Sequence, residues 1–161
     1  DSRTDANGHI ILLADQDRTR WDRALIALAG QHLDIAVRNG RSTAYQLEAA
    51  IAGLHANAAT FAATDWSGIT ALYDRLLEIK PHDIVRMNRA IAIGQARGAE
   101  VGVRELKAIT GLKDSHLYHA ALGDLLRASG DEIAAHAALR TALELAPSPN
   151  ERELITGKLE R

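Results

Sequence analysis

The segment DQDRTRWD, Asp15–Asp22, brings three carboxylates, two guanidinium groups and a tryptophan together within eight residues. A pair of carboxylates such as Asp15 and Asp17 or Asp22 would suit acid and base work, provided that a cleft sets their proton affinities apart. Nothing near them in sequence signals a buried cleft. The cluster therefore reads either as solvated helix-capping charge or as a contact surface. Arg18 and Arg20 can form bidentate pairs with carboxylates, and Trp21 supplies a large apolar anchor of the kind that dominates protein interfaces. A tryptophan in the core, rimmed by its charges, is the equal alternative; on that alternative Trp21→Ala should cost about 3–5 kcal/mol. On the contact alternative the binding residues are Asp15, Gln16, Asp17, Arg18, Trp21 and Asp22. A second polar group, Arg86, Asn88 and Arg89 in RMNRA, faces a binding groove or solvent.

The seven histidines raise the question of metal. His116 and His119 stand i, i+3, with Asp124 beyond them and His136 in the next helical segment. No HExxH or comparable spacing supports zinc, so they read as solvated or capping side chains. Asp5, Asn7 and Gly8 resemble the opening of a calcium loop, but the later ligands are missing. There is no GxSxG, glycine-rich phosphate loop or GxGxxG. No cofactor and no enzymatic activity is expected.

Composition narrows the classes further. The 161 residues carry 19 basic and 21 acidic side chains, for a formal charge of −2. With no net field to attract a polyanion, direct nucleic-acid binding by this chain is not expected. There is no cysteine, which removes disulfides and thiolate sites. No run approaches the roughly 20 apolar residues needed to span a bilayer, and the start, DSRTDANG, lacks the pattern of a signal peptide. A cytoplasmic location is expected. The start also lacks a methionine, which suggests a piece of a longer protein whose first residues end a preceding helix.

Elements that would position these residues follow from periodicity and punctuation. Asn7-Gly8 signals a turn, and His9–Leu13 reads as extended. An amphipathic helix with Asp17 as its N-cap and Trp21, Leu25 and Leu28 at helical spacing runs to about Arg38, stopped by Asn39-Gly40. Further helices are expected over 42–59, 65–80, 82–97, 99–110, 114–129, 131–146 and 149–159, with Ser42, Asp65, Asp114 and Asp131 as caps. Gly98, Gly111, Gly130, Pro81 and Pro147 mark ends. Helices joined by such short turns form antiparallel hairpins.

The hairpins repeat. Pro147 lies 66 residues after Pro81, twice 33. At the same step, Ile69, Tyr73 and Leu76 become Gly102, Leu106 and Ile109, then Ala135, Leu139 and Ala142. Ala90 and Ile93 become Gly123 and Leu126. This pattern resembles the tetratricopeptide repeat, with His119–Pro147 the best copy. It departs from that repeat in having His119 and Leu126 where tryptophan and tyrosine are common. The expected fold is all-α, antiparallel helical hairpins stacked as a tetratricopeptide-like superhelix. The expected organisation is one domain over 1–161, with 1–16 a lead-in outside the repeats. A non-repetitive bundle is the alternative architecture.

Five segments, LLADQDRTRWDRALI (12–26), YQLEAAIAGLHA (45–56), DWSGITALYDRLLEIKP (65–81), VRMNRAIAI (85–93) and YHAALGDLLRASG (118–130), carry a wider resemblance. In this order they resemble the C-terminal extension of a bacterial group of extracytoplasmic-function sigma factors with a tetratricopeptide-like region behind their DNA-binding domains. The resemblance implies a regulatory module that contacts the sigma core or RNA polymerase and so influences transcription initiation. The promoter-reading helices of such factors are absent from these residues. A free-standing adaptor that binds a peptide tail, and a small helical enzyme using the aspartates, are the rival classes.

Overall fold

The structure is a computed structural model and describes residues 3–5, 8–38, 40 and 42–160. The expected turn at Asn7, the stop at Asn39 and the first residues Asp1 and Ser2 lie outside the described residues. Among those described there are eight α-helices and no sheet, and within each compact unit every helix packs against its neighbour in sequence. The chain falls into two compact units, Asp1–Pro81 and His82–Arg161.

The first unit begins with a single antiparallel bridge between Thr4 and Ile10, then a turn closed by the Asp15 amide on the Leu12 carbonyl. Extended structure thus stops short of Leu13. A one-turn 3-10 helix over Arg18–Arg20 leads into α1 (Arg23–Val37), followed by α2 (Ala44–Asn57) and α3 (Trp66–Ile79). The expected single helix from Asp17 is broken because each of two aspartates caps its own segment. Asp17 accepts from the Thr19 amide, the backbone is extended at Trp21 and Asp22, and Asp22 then accepts from the Leu25 amide to start α1. Thr43, not Ser42, caps α2: the residue three beyond Thr43 is Gln46, whose amide oxygen accepts from the Thr43 amide, whereas three beyond Ser42 stands Tyr45. Asp65 caps α3 as expected. Leu47, Ile51, Ile69 and Leu76 are the buried hydrophobic side chains of this unit among the described residues.

The second unit runs through α4 (Asp83–Arg97), α5 (Ala99–Lys107), α6 (His116–Ala128), α7 (Glu132–Leu145) and α8 (Pro149–Leu159). Asp131 caps α7 as expected, but Ser115 takes the cap position of α6, because Asp114 lies inside a turn closed by the Ser115 amide on Leu112. The hairpins α4/α5 and α6/α7 turn on Gly98 and Gly130, at φ +102° and +87°, a region that L side chains rarely adopt. Their helices cross where the backbones meet most closely. A Cβ on Gly102 would stand 2.7 Å from Gly94 Cα and 3.0 Å from the Ala90 carbonyl; one on Gly123 would stand 2.6 Å from Leu139 Cγ and 3.3 Å from the Ala135 carbonyl. The crossing pair 90/102 recurs as 123/135, 33 residues on, with the glycine exchanged between partners. α4 also touches α6. Leu106, Tyr118 and Ala135 are wholly buried in one cluster, and Leu139 and Ala142 in the next, which Ile155 of α8 joins.

These contacts set opposite outcomes for the same substitution. Gly53 sits in α2 with nothing within 4 Å of a Cβ, so Gly53→Ala should stabilise by about 0.5–1 kcal/mol through helix propensity. Gly102→Ala meets backbone and should destabilise by about 1–2 kcal/mol net, the strain exceeding the same propensity gain. Urea unfolding of the two variants gives both signs.

Candidate protein-interaction surface

Arg18 is 5% exposed. Its Nη1 donates to the carbonyls of His55 (2.7 Å) and Ala58 (3.0 Å), at the end of α2. Arg23 adds a bond from Nη1 to the Ala56 carbonyl at 3.0 Å and one from Nη2 to the Arg18 carbonyl at 3.3 Å. The last carbonyls of a helix have no partner within it and carry partial negative charge. Two arginines, from the 3-10 helix and α1, supply that partner, and tie residues 18–23 to α2. The Arg18 guanidinium also lies 5.0 Å from the centre of the Trp21 ring, within cation–π range.

Behind this clasp lies an aromatic group. His55 packs edge-on to Trp66 at 5.1 Å between ring centres, and Phe61 to Trp66 at 5.0 Å. Burial, and next the charge of Arg18, lower the pKa of His55 below its ordinary value near 6.5. The folded state resists a proton that the unfolded chain accepts, so the contribution of His55 is complete above about pH 6.5 and is lost as pH falls through the lower, folded value. His55→Gln should therefore flatten the pH dependence of stability below pH 6.5, read from urea midpoints across that range.

The candidate residues divide by direction. Gln16 is half-buried and donates to the Ile11 carbonyl at 3.0 Å. Trp21 is half-buried, between the two readings of the sequence. Asp15, Asp17 and Asp22 are exposed. Asp17 accepts from the Thr19 hydroxyl at 2.6 Å and amide at 3.0 Å, which lowers its pKa. Three carboxylates thus stand outward on a segment anchored from within by Arg18. On α4, Arg86 pairs with Asp83 at 2.7 Å, Arg89 reaches Glu105 of α5 at 2.8 Å, and Asn88 is half-buried. Met87, between Arg86 and Asn88, and Ala90, after Arg89, are core. The two polar groups belong to different units.

The histidines have other partners. His116 Nε2 lies 3.2 Å from Glu151, His119 Nε2 bonds the Lys113 carbonyl at 2.8 Å, and Asp124 pairs with Lys158. Among the described residues no three such side chains stand close enough to share a metal, and no helix is long and apolar enough to cross a membrane.

No residue of α1 is fully buried. Ile26, Gly30, Leu33 and Ala36 are half-buried on one face, against α2, the element α1 packs on. The spacing of Trp21, Leu25 and Leu28 was the available signal, but it marks the other face: Leu25 is 63% exposed, Leu28 48% and Ile35 62%.

Residues 1–37 match a family of unknown function (DUF6596), a region that ends with α1. The whole chain is similar to an uncharacterised protein of Rhizobium meliloti (strain 1021), 37% identical over 160 residues. That similarity covers 99% of this chain and 38% of the relative, so the chain spans well under half the length of the relative it matches. No solved structure matches the chain.

Proposed function

We propose that this chain is a regulatory, protein-binding domain of an extracytoplasmic-function sigma factor, acting on transcription initiation in the cytoplasm through contacts with the sigma DNA-binding domains or core RNA polymerase. The observation that carries the proposal is the acidic segment Asp15–Asp22: Asp15, Asp17 and Asp22 exposed, and their backbone held by the buried Arg18. A preorganised surface binds with less loss of chain entropy. Its charge complements the basic face that DNA-binding domains carry. Arg86, Asn88 and Arg89 on α4 form a second binding surface.

The α4–α7 hairpins act as tetratricopeptide-like repeats within an α-α superhelix; the 33-residue recurrence of the 90/102 crossing supports this. The greater length of the rhizobial relative fits a part that works beside other parts, rather than a free-standing adaptor. No catalytic role, cofactor or direct DNA contact is assigned to these residues. Asp15→Lys leaves both capping aspartates in place, and should weaken binding to the sigma domains by about tenfold with folding unchanged. Wild-type binding should fall as salt rises from about 0.05 to 0.5 M. Binding indifferent to both charge reversal and salt removes the acidic segment from the interface.

A further inference from the structure

His55 stands in the last turn of α2, where the negative carbonyl end of a helix ordinarily favours a protonated imidazole. Here that end is already occupied. Arg18 takes the carbonyls of His55 itself and of Ala58, and Arg23 takes that of Ala56, so two guanidinium groups stand where the imidazole would meet negative charge. His55 Nδ1 is buried without a hydrogen-bond partner, and so is Arg18 Nη2. From α3 the ring meets the edge-on indole of Trp66, while Asp65, the cap of that helix, spends its carboxylate on the Gly68 amide at 2.8 Å. Asp17 and Asp22 likewise hold the Thr19 and Leu25 amides of their own segments. In a protonated imidazole both nitrogens are donors, so an N–H at Nδ1 would lie buried without an acceptor, beside an arginine that keeps its charge.

We propose that the Arg18–His55 contact is an acid-operated latch: when His55 takes up a proton, Arg18 leaves the end of α2, and the 3-10 helix and α1 detach while α2 and α3 stay paired. The release is local because α1 is weakly held. It has no fully buried residue, whereas α2 buries Leu47 and Ile51, and α3 buries Ile69, Thr70 and Leu76. Polar ties to α2 stand at the two ends of α1, the arginines at one and Gln46 Nε2 on the Ala36 carbonyl, 2.8 Å, at the other. Losing the first leaves a helix with few buried contacts, the kind of element that opens below the global unfolding free energy. Burial and then the charge of Arg18 set the pKa of His55 below its ordinary 6.5, so the latch is fully closed above about pH 6.5 and opens as pH falls through the lower, folded value. Opening frees the backbone that carries Asp17 and Asp22. It is a property of the chain alone, whatever partner the acidic segment binds.

Amide hydrogen exchange of the whole chain, read as protection factors so that the chemical effect of pH on exchange cancels, tests the latch at about pH 7.5 and about pH 5, either side of the ordinary histidine value. Protection in α1 should fall about fivefold or more at the lower pH, with α2 and α3 changing much less. His55→Gln, and His55→Phe, which keeps a ring against Trp66, carry no charge at either pH and should hold α1 equally protected at both. Changing His9 and His32, the other histidines of the first unit, together to Gln should leave the fall in place. Protection of α1 that is the same at both pH values, a fall that persists in either folded His55 variant, or an equal fall in α1, α2 and α3 overturns the proposal.

Discussion

Arg18→Ala is expected to destabilise the first unit by about 3–5 kcal/mol, a loss usually reserved for large core side chains. The side chain is 5% exposed and makes two charged hydrogen bonds, to the His55 and Ala58 carbonyls. Bonds of this kind contribute about 1.5–3 kcal/mol each, and truncation also leaves the carbonyls short of a partner. The face of Trp21 loses its cation as well. Arg18→Lys should recover only part of the loss, because an ammonium lacks the flat guanidinium that packs on the ring. Arg20→Ala and Asp15→Ala, at exposed neighbours, should stay within about 0.5 kcal/mol of wild type. Urea unfolding monitored by tryptophan fluorescence measures all four, since Trp21 and Trp66 both lie in this unit. A loss below about 1 kcal/mol for Arg18→Ala would mean that the clasp does not hold residues 18–23 to α2.

Leu139→Ala should cost the second unit about 3–5 kcal/mol. Leu139 is fully buried in the cluster that contains Ala142 and Ile155, and it fills the space above Gly123. Gly123→Ala alone forces a Cβ to within 2.6 Å of Leu139 Cγ, an overpacking worth about 1–3 kcal/mol. Together the two changes should cost less than their sum by about 1 kcal/mol or more, because the new methyl occupies part of the space left by leucine. Additive losses would contradict the close crossing of α6 and α7.

Helices were legible in the sequence because their signals are local. Glycines at 98 and 130 took the left-handed conformation that ends one helix and starts the next. Asp65 and Asp131 capped where they were placed. The misplaced starts had neighbours that competed for the same role: Thr43 had Gln46 to complete a reciprocal cap, and Asp22 stood five residues after Asp17 to begin the helix again. The 33-residue step pointed to the 90/102 and 123/135 crossings because small residues are required there.

The candidate site was legible as a segment but not in its directions. DQDRTRWD has the same charges whether Arg18 points outward to a partner or inward to the end of α2. That choice depends on backbone carbonyls some 37 to 40 residues away, which no local pattern encodes. The exposed outer face of α1 was hidden for a related reason. Both faces of that helix are apolar, and periodicity cannot tell which one has a partner within the chain.

The most direct test of the proposed function is a titration of this chain against the DNA-binding domains of the sigma factor it is proposed to regulate and, separately, against core RNA polymerase. Saturable binding to one of them, weakened by Asp15→Lys and by salt, is the predicted result. Failure to bind either, by a chain shown to be folded by its helical circular dichroism, would contradict a role in transcription initiation.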